Sequence, residues 1–208
     1  MTYLIENVST ILPLFWQHLI LTLSVIFFTL LIGVPLGVLL ARKKSLRAPV
    51  LGFLGIVYTI PSLSFFILLL PVFGLGTRSA IIALTAYAQL LFIRNWLTGL
   101  TTIDPSILEA AKGMGMTGRR RFWLVEFPLS LPMFLAGVRL VALSSIGIGT
   151  IAAFIHAGGL GVLLFQGVIT ANYGKISAGA VCVSFLAFGV NYGIHTLERF
   201  SARRIRGG

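Results

Sequence analysis

The sequence predicts an all-α integral membrane protein with five transmembrane helices. Its composition is the first reason: 57% of the 208 residues are hydrophobic and only 10% are charged, whereas a soluble domain has about 25% charged residues. The second reason is that the apolar residues form five runs, and each run has about the 20 residues that a helix needs to cross a bilayer. We therefore treat residues 1–208 as a single transmembrane domain.

The chain starts with a mixed segment, residues 1–17, which lacks the basic start of a signal peptide. Trp16 and His18 suit a membrane interface, so we expect an interfacial lead-in here. The first predicted span is 19–41. Pro35 lies inside it, and we expect a kink there, because neighbouring helices in a membrane can satisfy the carbonyl group that proline leaves free.

The second predicted span, 49–73, is interrupted near its middle by hydroxyl groups, aromatic rings and a proline. We predict a break at Pro61, which a membrane tolerates best where the backbone lines a cavity. The residues around the break are therefore candidates for a translocation pathway: Tyr58, Pro61, Ser62 and Phe65. A tight glycine-rich turn then leads to the third predicted span, 79–100, which carries Arg94 near its end.

The fourth predicted span, 129–155, contains Arg139 about ten residues from its start, which is roughly 15 Å along a helix. A charge at that depth must face protein or water, and two roles stay open for Arg139: pairing within the protein, for example with carbonyl groups at a helix end, or lining the pathway. A glycine-rich loop then leads to the fifth predicted span, 176–196, and the chain ends in a basic tail.

The basic residues predict the orientation in the membrane. If the loop after the first span is cytoplasmic, twelve of the 16 lysines and arginines lie on the cytoplasmic side. These are Arg42, Lys43, Lys44, Arg47, Lys112, Arg119, Arg120, Arg121, Arg199, Arg203, Arg204 and Arg206. The loops on the other side contain only Arg78 and Lys175. Because cytoplasmic loops carry the excess of positive charge, we expect the N-terminus outside and the C-terminus inside.

The longest polar interruption, residues 101–128, is then a cytoplasmic loop. Asp104 can cap a helix, and Pro105 suits the first helical position, where no N–H group is needed. We predict a helix over 106–112 that glycines end, because glycine tolerates left-handed backbone geometry. The predicted apolar side of this helix consists of Ile107, Leu108, Ala110, Ala111 and Met114. A surface helix with small and soft residues on one side suits the groove of a partner protein.

This loop resembles the EAA loop in the membrane subunits of binding-protein-dependent ABC importers. Glu109-Ala110-Ala111 is followed at the family's spacing by Gly115 and by 125–128, Val-Glu-Phe-Pro, where the family pattern is Ile-x-Leu-Pro. The resemblance implies the fold of type I ABC importer permeases, in which this loop is the coupling helix that docks on an ATPase subunit. The docking residues that it implies are Asp104, Glu109, Ala110, Ala111, Gly113, Met114, Gly115 and Met116.

The resemblance also implies partners and a location. We expect ABC ATPase subunits, a second permease subunit that is identical or paralogous, and a substrate-binding protein outside the bacterial cytoplasmic membrane. The sequence lacks the Gly-x-x-x-x-Gly-Lys-Ser/Thr phosphate-binding pattern, so we expect ATP and Mg²⁺ on the ATPase and no cofactor in this chain. We expect no nucleic-acid partner, because the basic residues lie between apolar runs.

Four stretches narrow the resemblance to permeases for glycine betaine, carnitine and choline. They are 59–63, 73–77, 108–117 and 157–161. The implied solute is a quaternary ammonium osmolyte, which favours aromatic faces. Such faces are offered by Tyr58, Phe65, Phe66 and Trp96, for which packing is the alternative role. An ABC permease for another small solute, such as an amino acid, is the alternative function.

Other classes of membrane protein fit less well. The acidic residues all lie outside the predicted spans, whereas a proton-coupled transporter usually keeps a carboxylate within the membrane. A membrane-embedded enzyme needs a buried nucleophile or a metal site. Cys182 is the only cysteine, and His18, His156 and His195 are far apart, so we expect interfacial histidines. A channel would need a filter-like loop, which the sequence does not contain.

Overall fold

A computed structural model describes the backbone of residues 2–205 and the side chains of residues 3–200. Every regular element in that range is helical. The α-helices are α1 Thr2–Glu6, α2 Val8–Arg42, α3 Arg47–Thr59, α4 Ser62–Phe73, α5 Thr77–Thr101, α6 Pro105–Gly113, α7 Gly118–Arg121, α8 Phe127–Ile151, α9 Gly161–Ile169 and α10 Tyr173–Ile205. A π-helical segment, Phe122–Glu126, joins α7 to α8. Of the tail cations, Arg206 and the side chains of Arg203 and Arg204 lie outside the described residues.

Four helical stretches in the described part of the chain are long and apolar enough to cross a membrane. They are Val8–Arg42, Thr77–Thr101, Gly118–Ile155 and Tyr173–Phe200. Helices α3 and α4 pass the same test together, but they meet at a bend of 99°. The described residues therefore form four candidate spans, or five if the bent pair counts as one. The break predicted at Pro61 is present, since α3 ends at Thr59 and α4 starts at Ser62.

Helix α2 is longer than the predicted first span. It starts at Val8 and continues through Pro13 and Pro35, so most of the expected lead-in belongs to the same helix as the span. Gly33 and Gly37 lie on its buried face against α5. A Cβ atom at Gly37 would overlap the Trp96 ring, and one at Gly33 would lie 2.6 Å from the ring of Phe92. The two glycines therefore let α2 approach α5 closely, as small residues do in membrane helix pairs.

Helix α5 is the centre of the fold, with α2 on one side and α8 on another. Trp96 and Phe92 of α5 are completely buried. The Trp96 indole N–H donates to the carbonyl of Val34 in α2 at 3.2 Å. Its ring packs edge-on against Phe134 of α8, with 5.0 Å between ring centroids. Trp96 and Phe66, two of the four rings that could offer a face to a solute, are fully buried, so the alternative role of packing applies to them.

His18 also differs from the expectation of an interfacial histidine. Its side chain is completely buried. The Leu160 N–H lies 3.3 Å from His18 Nδ1, and Nε2 lies 3.1 Å from the carbonyl oxygen of Ile146. If Nδ1 accepts from Leu160, Nε2 must carry the proton and donate to Ile146. His18 therefore connects α2 to the end of α8 and to the loop before α9.

Candidate functional site

Helix α6 forms where the local sequence predicts it. The Oδ1 atom of Asp104 accepts a hydrogen bond from the Ser106 N–H at 2.8 Å. That bond favours the charged carboxylate and holds the pKa of Asp104 below its ordinary value. The helix runs over Pro105–Gly113, one residue longer at each end than predicted. Gly115 is left-handed with φ +75°, so it and not Gly113 reverses the chain.

The two sides of α6 differ in exposure. Ile107, Ala110 and Met114, at positions i, i+3 and i+7, are exposed, with 42% of Ile107 and 70% of Met114 accessible. We call these three residues the outer face of α6. Ala111 lies on the other side and is only 2% exposed. The expectation that Ala111 enters a partner's groove is therefore wrong, because this chain already covers it. The remaining predicted docking residues are exposed or half-buried: Asp104, Glu109, Gly113, Gly115 and Met116.

The loop is anchored to the start of α8. Helix α6 packs against α7 and the π segment. The Met116 N–H donates to the Ala111 carbonyl at 3.2 Å and turns the chain after α6. The Thr117 hydroxyl then accepts from the Arg120 N–H at 3.4 Å and caps α7. The outer face of α6 is thus held by a folded segment and not by a loose loop.

Glu126 is a buried residue that the sequence did not mark as important. Only 7% of it is exposed. Arg42 Nη2 donates to Glu126 Oε2 at 2.7 Å, and Arg121 Nε donates to Glu126 Oε1 at 2.8 Å. The sequence gives one signal for it, an acidic residue inside an apolar run next to three arginines. The partner Arg42 is 84 residues away and has no such signal.

The pathway candidates meet at the break between α3 and α4. The Tyr58 and Tyr87 rings are 5.7 Å apart, the Phe65 and Tyr87 rings 5.2 Å, and all are packed edge to face. The Tyr87 hydroxyl donates to the carbonyl of Ile60 at the break. Phe65 is buried, Ser62 is half-buried, and Tyr58 and Pro61 are exposed. The structure therefore brings these four candidates to one place and leaves the Tyr58 ring partly accessible.

Arg139 contacts α10 instead. Its Nη1 atom lies 3.3 Å from Glu198 Oε2, and the same oxygen lies 3.0 Å from His195 Nδ1. Pairing within the protein is therefore present, with a carboxylate and not with the carbonyl groups of a helix end.

The structure also places two of the acidic residues inside long helices. Glu126 and Glu198 both lie within helical stretches that are long enough to cross a membrane. Both stretches are longer than the about 20 residues that cross a bilayer, and each of these carboxylates is paired with an arginine towards one end of its stretch. In the described part of the chain, no three His, Cys, Asp or Glu side chains are grouped so as to hold a metal ion.

Comparison with known proteins assigns the chain to a family. Residues 33–207 match the family described as binding-protein-dependent transport system inner membrane component. The chain belongs to this family. It is thus a multi-pass membrane subunit of a transport system that works with a binding protein, and the family resemblance inferred from the EAA loop is confirmed.

Three curated relatives cover nearly the whole chain. The osmoprotectant import permease protein OsmW of Salmonella typhimurium is 38% identical over 94% of this chain and 94% of its own. The glycine betaine/carnitine/choline transport system permease protein OpuCB of Bacillus subtilis is 39% identical over 96% and 92%. The carnitine transport permease protein OpuCB of Listeria monocytogenes is 37% identical over 99% and 94%.

Solved structures confirm the fold of an ABC importer permease. A chain of the inward-facing MetNI methionine ABC transporter superposes with a TM-score of 0.82 at 24% identity, covering 97% of both chains. A chain of an amino acid ABC transporter crystallised with histidines gives 0.65 at 20% identity, covering 96% of this chain and 97% of its own.

Proposed function

We propose that this permease imports quaternary ammonium osmolytes, such as glycine betaine, carnitine or choline, with energy from a separate ATPase. The solute class is supported by the printed names of relatives that are 37–39% identical and cover almost the full chain. The coupling to an ATPase is supported by the EAA loop and by the outer face of α6.

The outer face of α6 is the observation that carries the proposed coupling to an ATPase. It presents Ile107 and Ala110 on a helix of nine residues, and Met114 at the C-cap directly after it, in a polar loop. That helix is far too short to span a membrane, and it lies in the longest polar interruption of the chain, so its exposed apolar residues do not belong to a span. A shallow groove on a protein partner does, because a short helix binds such grooves through residues spaced i, i+3 and i+7.

The excess of lysine and arginine after the first span and in loop 101–128 supports a cytoplasmic position for this face, where an ATPase would lie. The N-terminus is then outside. Two permease subunits pack around the pathway, and a binding protein delivers the solute from outside. When ATP brings the ATPase subunits together, the docked helices move and the pathway changes its accessible side.

Within the permease, the solute passes the break between α3 and α4. A quaternary ammonium ion has no N–H group to donate, and an aromatic face is its favourable contact. Tyr58 offers a partly exposed ring at the break, and Pro61 and Ser62 lie beside it. The contact is expected to be weak, because the solute must leave as readily as it enters.

Uptake by the reconstituted importer tests the proposed solute class. The permease, its ATPase and its binding protein are placed in liposomes with labelled glycine betaine, carnitine, choline or methionine. We expect ATP-dependent uptake of the quaternary ammonium compounds only. Tyr58→Phe should retain uptake, and Tyr58→Ala should raise the apparent KM, since a cation–π contact contributes about 0.5–2 kcal/mol. Uptake of methionine alone would show that the solute class is wrong.

A further inference from the structure

We propose that Glu126 is a positioning residue that links the docking helix α6 to the first membrane helix, α2. The inference rests on the proposed docking of α6 on an ATPase. It assigns Glu126 the task of passing a displacement of α6 to α2 through Arg42.

The bridge joins two parts of the chain that are distant in sequence. Arg42 is the last residue of α2, and Glu126 is the last residue of the π segment that carries α7 and α6. Each carboxylate oxygen accepts from a different arginine, Oε2 from Arg42 and Oε1 from Arg121. Glu126 therefore cannot move relative to α2 without breaking its bond to Arg42, one of two short charge-assisted hydrogen bonds, which are the stronger kind.

The two links differ in burial. The Arg121 side chain is 14% exposed and the Glu126 side chain 9%, whereas the Arg42 side chain is 44% exposed. A buried carboxylate without a partner is costly, so the bond to Arg121 holds Glu126 in place. The half-exposed Arg42 can be replaced at a lower cost, because water can solvate part of its site. Arg121 and Glu126 thus form a fixed pair, and Arg42 is the contact through which that pair holds the end of α2.

The surroundings favour transmission of movement. The π segment has hydrogen bonds of the i→i+5 type, one of them from the Phe127 N–H to the Phe122 carbonyl. Such segments are rare, and they occur frequently at functional sites. At the end of α2, Arg47 donates to the carbonyl groups of Leu40 and Ala41 at 2.8 and 2.9 Å. These two hydrogen bonds stabilise the last turn of α2, so we expect a displacement of Arg42 to move the helix and not to unwind it.

The experiment compares Glu126→Gln, Arg42→Gln and the double variant, each in liposomes with the ATPase and the binding protein. Gln keeps the shape of Glu126 and removes its charge. Three quantities are measured: co-purification of the ATPase, solute imported per ATP hydrolysed, and the ATP-driven change in distance between spin labels. The labels are placed at two exposed positions, Leu23 of α2 and Phe185 of α10, in a Cys182→Ser background. Lys43→Gln is the matched control, because Lys43 is exposed, adjacent to Arg42 and without an ion pair among the described residues.

We expect both single variants to keep the ATPase bound and to lose about fivefold in solute imported per ATP, the lower end of typical coupling between sites. The double variant should lose no more than the worse single variant, because both changes remove the same link. Arg42→Lys should restore most of the ratio, and Lys43→Gln should match the unmodified protein. The ATP-driven distance change should shrink in the variants in parallel with the ratio.

Two results would overturn the proposal. One is an unchanged ratio and an unchanged label response in both Gln variants. The other is a loss of inserted permease or of bound ATPase in proportion to the loss of uptake, which would make the bridge purely structural. If the unmodified importer moves no quaternary ammonium compound, the solute class fails, but the label response still decides the role of Glu126.

Discussion

Helices α5 and α6 follow one another in the chain and expose their apolar side chains in opposite ways. The large residues of α5, such as Trp96 and Phe92, are covered completely by α2 and α8. Helix α6 leaves Ile107 and Met114 open although it lies in a polar loop. The exposed apolar residues of α2, α4 and α10 belong to candidate spans, where lipid covers them. The outer face of α6 is different, because α6 lies in the polar loop between two candidate spans and is too short to be a span itself.

We expect the largest effect in the buried part of the molecule, at the contact between α2 and α5. Gly37→Leu places a side chain where the Trp96 ring lies. We expect destabilisation by about 1–3 kcal/mol or more, as overpacking usually causes. Gly52→Leu in α3 is the control, because a Cβ atom there meets nothing within 4 Å. Yield of inserted monodisperse protein and melting temperature measure both. Equal behaviour of the two variants would contradict the close approach of α2 to α5.

A second prediction separates the two sides of α6. Ala111→Trp puts a large side chain on the buried side of α6, which packs against α7 and the π segment. It should lift α6 from α7 and increase protease cleavage within residues 104–121. Ala110→Trp on the outer face should leave the loop folded and reduce only the binding of the ATPase. Limited proteolysis with no ATPase present distinguishes them, and equal cleavage of both variants would mean that the two sides are not distinct.

The smallest expected effect concerns the cap of α6. Because the pKa of Asp104 is lowered in the folded chain, its charged cap stabilises α6 at neutral pH and is lost as the pH falls through the folded pKa. Asp104→Ala should increase amide hydrogen exchange in 105–113 at neutral pH. Asp104→Asn should keep the cap and remove its dependence on pH, since asparagine also caps helices. Unchanged exchange in the Ala variant would show that the cap does not hold the helix.

Local chemistry made part of this molecule predictable from sequence. The cap at Asp104, the left-handed Gly115 and the break at Pro61 each depend on one residue with special backbone properties, so the sequence predicts them directly. The EAA spacing likewise lies within one loop. Partners from distant parts of the chain were not predictable. His18 with Ile146, and Arg42 with Glu126, are 128 and 84 residues apart, and only the packing of the helices brings them together.

The buried side of α6 also could not be predicted from the sequence alone. The apolar side predicted from residues 107–114 includes Ala111 because the helical period alone does not say which part of a broad apolar side the chain itself covers. In the structure only part of that apolar side is exposed. Ala111 is buried within the chain, and Ile107, Ala110 and Met114 form the outer face. The proposed docking surface is therefore narrower than the one predicted from the sequence.

Binding of the ATPase to permeases with a changed outer face of α6 tests the central claim most directly. Ile107→Asp and Met114→Asp put charges into the proposed groove contact, and Leu75→Asp puts a charge on an exposed apolar residue between α4 and α5 as the control. We expect co-purification of the ATPase to fall roughly 30-fold in the first two, as for contacts worth about 2 kcal/mol, and to stay unchanged in the control. Full binding to both α6 variants at normal levels of inserted permease would contradict the claim that α6 is the docking helix.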